Sequence, residues 1–89
     1  MQTVHLLISG KVQGVFFRET ARKVAEKLNI KGWIKNTTGE KVEALITGEE
    51  NDVKDFIQWC KKGPDRAKVK EVIDTIQTDF LFDTFEVRR

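Results

Sequence analysis

Two stretches of the chain place their apolar residues at i, i+3, i+4 and i+7. They are Ala21, Val24, Ala25 and Leu28 in the first and Val53, Phe56, Ile57 and Cys60 in the second. Each set is one stripe of an α-helix, and a helix with a single apolar stripe must bury it against another layer. The layer is supplied by segments that alternate with period two. Residues 3–10, TVHLLISG, put Val4, Leu6 and Ile8 on one side and Leu7 on the other; residues 41–47, KVEALIT, set Val42, Ala44 and Ile46 against Glu43, Leu45 and Thr47. Residues 31–36, KGWIKN, are short and extended, and Thr37, Thr38 and Gly39 between the last two runs form a hairpin turn.

The helices are expected over 18–29 and 50–62. Gly63 supplies a left-handed C-cap for the second and Pro64 forbids its continuation. Residues 67–77 are extended, but Val69 and Ile73 compete with Val72 and Ile76 for the inward face, which calls for a bulge. Residues 82–88 give a last short strand with Phe85 and Val87 facing in. The order is β-α-β-β-α-β with a short C-terminal strand. This is an α+β, ferredoxin-like split βαβ sandwich, with both helices on one face of an antiparallel sheet.

A chain of 89 residues is expected to be one domain, 1–89. A domain of this size buries roughly 60–65% of the surface its unfolded chain exposes, enough for one core without a metal or a disulfide. Cys60 has no second cysteine to pair with, and one Cys and one His are too few for a zinc site. MQTVHLLISGKV has neither the basic start nor the long apolar stretch of a signal peptide, and no run approaches the ~20 apolar residues of a membrane span. A cytoplasmic monomer is expected. The 16 Lys and Arg and 14 Asp and Glu are interspersed, except for Lys61-Lys62 and the C-terminal Arg88-Arg89. Such a surface is a solvated one, without the clustered basic face of a nucleic-acid binder.

The topology points to where chemistry is carried. A strand–helix–strand unit makes the first two strands parallel, so their C-terminal ends share one edge of the sheet. One of those ends is GKVQGVFFR, residues 10–18, and the other is IKNTTG. Gly14 can take φ > 0 and lets backbone approach a ligand. The loop runs into a helix N-terminus, where the first N–H groups lack intrahelical partners, and such a loop can cradle an anion. An arginine in the first helical turn is unfavourable by roughly a few tenths of a kcal/mol, which gives Arg18 a reason to be there for another task. Its planar guanidinium fits two phosphate oxygens at once. The loop is not a Walker A motif: Gly10 and Gly14 are four apart, and no Lys-Ser/Thr pair follows.

GKVQGVFFR, followed by GWIKNTTG and then GPDRAKVKEV, resembles the acylphosphatase family, in order and over nearly the whole chain. The resemblance implies a ferredoxin-like sandwich that hydrolyses the carboxyl–phosphate anhydride of a small-molecule acyl phosphate, with no metal and no cofactor. It implies a phosphate loop of Gln13, Gly14, Val15, Phe16, Phe17 and Arg18, with inorganic phosphate or sulfate as a further occupant. It also implies Arg18 and Asn36 as the catalytic residues. Some members carry glycine at the position of Phe16, so that position is not expected to need φ > 0.

The remaining reactive or aromatic residues have plainer readings. Cys60 falls on the helix stripe and belongs to the core. His5 lies at the far end of the first strand, on the order of 25 Å from Gly14 along a straight strand, and is a surface or edge residue. Trp33 and Trp59 pack, with Trp59 half exposed. Thr37 and Thr38 are turn residues that could hydrogen-bond Asn36 or the loop, and Glu19 suits the first helical turn. Two other functions compete. An RNA-reading or regulatory ferredoxin-like module would want aromatics on the central strands, and TVHLLISG and KVEALIT have none. An acylphosphatase-like domain that binds anions without turnover is opposed by the presence of both Arg18 and Asn36.

Overall fold

The computed structural model describes residues 1–78 and 82–88. Its elements are β1 (Gln2–Lys11), α1 (Phe17–Lys27), β2 (Lys31–Asn36), β3 (Val42–Gly48), α2 (Glu50–Lys62), β4 (Lys68–Gln77) and β5 (Phe85–Arg88). They form one five-stranded sheet in the order β4-β1-β3-β2-β5. β1 pairs antiparallel with β3 and β4, and β3 with β2, while β5 joins β2 in parallel. The expected antiparallel sheet is thus a mixed one, its fifth strand entering in the opposite sense at the β2 edge. Arg89, half of the basic pair noted at the C-terminus, lies outside the described residues.

The competition along the fourth strand resolves as a bulge. Ser9 faces Glu71 but Gly10 faces Val69, so Lys70 is the extra residue on β4. The slip changes the parity, and Val69 and Val72 both reach the core although they are three apart. Ile73 falls opposite Leu7 on the open face and is half exposed. Gly10 makes the close approach possible: its φ is 120°, and a Cβ there would meet the Lys68 carbonyl and the Lys70 amide.

Val4, Leu6 and Ile8 from β1 lie under both helices with Ala44 and Ile46 from β3, all at most 2% exposed. Each such Val, Leu or Ile side chain contributes about 1.5–3 kcal/mol relative to exposure. α1 adds Ala21 and Ala25, and α2 adds Val53, Phe56 and Cys60. Burial pushes the Cys60 thiol far above its ordinary range, as befits a core residue. An aromatic chain holds the start of α1: Phe17 packs on half-buried Trp59 with ring centroids 5.3 Å apart, Trp59 on Phe56 at 6.2 Å, and Phe56 on Phe85 at 5.9 Å.

α1 stops two residues before the predicted end. Asn29 takes φ 57°, the Ile30 N–H donates to the Ala25 carbonyl at 2.8 Å, and the Asn29 N–H to that of Glu26 at 3.3 Å. This Schellman closure fits asparagine's tolerance of the left-handed region. Gly63 ends α2 at φ 71° but with ψ −178°, an extended exit in place of the expected left-handed cap.

Candidate active site

Residues 12–16 climb from β1 to α1. The side chains of Val12 and Val15 are 1% and 5% exposed and pin the loop from below. Between them Gly14 stands exposed at φ 71°, with nothing within 4 Å of where a Cβ would be. Phe16 then occupies the left-handed region at φ 61° and ψ 25° as the N-cap of α1, without a side-chain cap. This corrects the expectation that position 16 does not need positive φ. For a residue with a Cβ the conformation costs about 1–2 kcal/mol, and it persists because Val15 and Phe17 on either side are both buried.

The turn leaves a run of N–H groups at the start of α1 outside the helical hydrogen-bond ladder. The first bond of the helix is made by the Thr20 N–H to the Phe16 carbonyl at 3.0 Å. The N–H groups from Gly14 to Glu19 have no acceptor among the described residues. They carry the positive end of the α1 dipole.

Asn36 is the last residue of β2. It shares the helix-side parity of buried Gly32 and Ile34, and it borders the same cleft as Phe17 and Arg18 of α1. Its Oδ1 is buried and has no hydrogen-bond partner among the described residues. An acceptor left so is uncommon, and the cost is of order 1–3 kcal/mol unless something outside the chain donates to it. Arg18 projects from the first turn of α1, and its Nη1 donates to the carbonyl of Arg88 at the end of β5 at 2.7 Å.

These groups border one cleft of about 710 Å³. Val12, Gly14 and Phe16 come from the loop and Phe17, Arg18 and Glu19 from α1, with Asn36 and Val87 on the far side. Of the residues predicted for the site, Gly14, Phe16, Phe17, Arg18 and Asn36 meet here. The side chain of Val15 turns into the core. That of Gln13 reaches the β2–β3 turn, where Nε2 donates to the carbonyls of Thr37 at 3.0 Å and Lys41 at 2.8 Å. The loop is therefore tied to the hairpin by the Gln13 side chain and the carbonyls of Thr37 and Lys41 rather than by a threonine hydroxyl; Thr37 Oγ1 donates to the Thr38 carbonyl instead. Glu19 pairs with Arg22, whose hydrogen bond holds its carboxyl below the ordinary carboxylate range. Residue types give little sign of the Gln13 clamp, the Arg88 carbonyl or Val87, because each acts through a partner that only the folded chain brings near.

His5 lies on the sheet face away from the helices, with Nε2 2.6 Å from Glu43 Oε2. On the same face Lys35 Nζ and the Arg88 guanidinium flank Trp33, 5.3 and 5.1 Å from its ring centroid.

A ferredoxin-like sheet, with a loop whose N–H groups have no acceptor among the described residues, an arginine at the helix start and a buried amide oxygen facing one cleft, defines a small α+β protein. A model of the acylphosphatase family matches residues 4–87. The chain belongs to the acylphosphatase family. It is 42% identical over 88 residues to an acylphosphatase of Thiobacillus denitrificans, covering 99% of this chain and 98% of that one. With an acylphosphatase of Syntrophus aciditrophicus it shares 39% over 89 residues, covering 98% and 92%. The fold superposes on the structure of an acylphosphatase from Coxiella burnetii with a TM-score of 0.94 at 39% identity, covering 98% of this chain and 92% of the other. The crystal structure of acylphosphatase from Bacillus subtilis gives 0.96 at 30% identity, covering both chains completely.

Proposed function

We propose that the cleft binds the phosphoryl group of a small-molecule acyl phosphate and directs water onto its phosphorus. The N–H groups of Gly14 to Arg18 take the phosphoryl oxygens, with Gln13, Val15 and Phe17 fixing the path of the loop. Arg18 spans two of those oxygens and neutralises charge as it shifts toward the leaving group. Asn36 accepts a hydrogen bond from the attacking water at Oδ1 and fixes its direction. The new bond is water oxygen to phosphorus; the bond that breaks joins phosphorus to the acyl oxygen, which leaves with the electron pair as a carboxylate. The carboxylate is a weak base and needs no protein acid. The proton of the water passes to a phosphoryl oxygen of the substrate, giving inorganic phosphate.

The observation that carries this reading is the buried, unpartnered Oδ1 of Asn36 in the same cleft as Arg18 and the unpaired N–H groups. Phosphoryl transfer asks mainly for positioning and charge stabilisation, which these groups supply without a metal ion. A monomer with no nucleic-acid partner is proposed, because the Lys and Arg residues are interspersed with Asp and Glu and form no clustered basic face. Among the described residues no helix is long and apolar enough to cross a membrane; the cytoplasm is proposed on the lone thiol of Cys60. The test is hydrolysis of benzoyl phosphate in EDTA by the wild type, Arg18→Ala and Asn36→Ala. Turnover that survives chelation and disappears in both folded variants is the expected result. A folded wild type that binds phosphate but does not turn over would replace this reading with an anion-binding module.

A further inference from the structure

The organic half of the substrate has a place in the same cleft. Phe16 is 73% exposed, the most exposed of the large apolar side chains among the described residues. It also holds the left-handed backbone that glycine would adopt without strain. Neither feature serves the fold: the ring adds almost nothing to the core, and the backbone beneath it is strained. Both are concentrated at the one residue that joins the phosphate loop to α1 and borders the cleft. Strain kept at a ligand-facing position is a mark of a ligand contact.

An acyl group attached to a phosphoryl group at Gly14–Arg18 must leave across this rim. Phe16 and Val87 give it apolar surface there. Glu19 stands on the same rim, in a Glu19–Arg22–Glu26 cluster that carries one net negative charge and disfavours a further carboxylate. We infer that the Phe16 ring is the platform on which the acyl group packs. It sets a preference for acyl phosphates whose acyl half is aromatic or otherwise apolar and uncharged, over small or carboxylate-bearing ones. This rests on the acylphosphatase reading of the cleft.

The test compares kcat/KM for benzoyl, acetyl and succinyl phosphate in the wild type, Phe16→Gly, Phe16→Ala and Phe16→Tyr. Phe16→Gly removes ring and strain, Phe16→Ala removes the ring alone, and Phe16→Tyr keeps the ring. The benzoyl-to-acetyl ratio should fall about tenfold in Phe16→Gly and Phe16→Ala and be kept in Phe16→Tyr. Succinyl phosphate should be the poorest substrate of the wild type. Should the variants lose turnover, the same ratio is read from binding of the matching phosphonates, in which a methylene replaces the bridging oxygen. A ratio that stays within twofold of wild type in both Phe16→Gly and Phe16→Ala overturns the platform and leaves the enzyme reading standing. A wild type that hydrolyses none of the three removes the enzyme reading itself, and the platform with it.

Discussion

Arg18 ties α1 to its neighbour β5: its Nη1 donates to the Arg88 carbonyl at 2.7 Å, a bond between residues 70 apart in the chain. The contact draws the guanidinium toward β5 and over the cleft, leaving its remaining donors for a ligand. Arg18→Lys keeps the charge but has no planar fork to divide between the strand and a phosphate. We expect its kcat/KM on benzoyl phosphate to fall by at least ~10²–10³, and inorganic phosphate to inhibit far more weakly. Native-like turnover in Arg18→Lys would refute two-point contact with phosphate.

Asn36 should separate rate from stability. Its Oδ1 has no partner to lose among the described residues, so Asn36→Ala removes an unsatisfied acceptor along with the proposed water contact. The rate should fall by ~10²–10³ while the urea midpoint stays level or rises. A loss of stability matching the loss of rate would mean that Asn36 is structural.

Gln13→Ala cuts both hydrogen bonds that tie the loop to the turn after β2. The Lys41 carbonyl keeps the bond it receives from the Thr37 N–H at 2.8 Å, so one acceptor is orphaned and the other is not. A loss of about 1–2 kcal/mol in unfolding free energy is expected, with a higher KM because the loop is no longer held in place. Chemical denaturation and steady-state kinetics on one preparation would show both, and an unchanged KM would count against the clamp.

Phe16→Gly should make the protein more stable. Relief of left-handed strain outweighs the added freedom of the unfolded glycine, for a net gain of about 0.5–1 kcal/mol in urea unfolding. Phe16→Ala, which keeps the strain, should show no such gain. If the two variants unfold alike, the backbone at position 16 is not strained in solution.

Cys60 is completely buried, and its thiol is held neutral by the apolar surroundings. It should resist thiol reagents in the native state and react only through global opening, with the logarithm of the rate rising linearly with added urea. Prompt labelling of the native protein would contradict its place in the core.

The elements were legible from the sequence because their signals are local: two helical stripes, three alternating runs and the Gly63-Pro64 stop. Even the bulge announced itself, since Val69 and Val72 cannot share a face in a regular strand. The parallel docking of β5 was not legible, because four residues alternate identically whichever way they run. Arg18 and Asn36 could be named from motif and topology together. The conformation of Phe16 could not, since a phenylalanine in that position reads as a residue that avoids positive φ. The Gln13 clamp was hidden for another reason: an amide next to a glycine offers as good a contact to a ligand as to a neighbouring turn.

β1 is the first strand to be synthesised, yet in the sheet it lies between β3 and β4. Its own hydrogen-bonding edges stay open until residues 42–48 and then 68–77 have been made. The phosphate loop leaves from the end of this strand, so its shape is secured late, when both long-range pairings have closed. A nascent chain released before β4 would carry Gly14, Phe16, Arg18 and Asn36 but not Val87 or the Arg88 carbonyl, and would lack the frame that holds them.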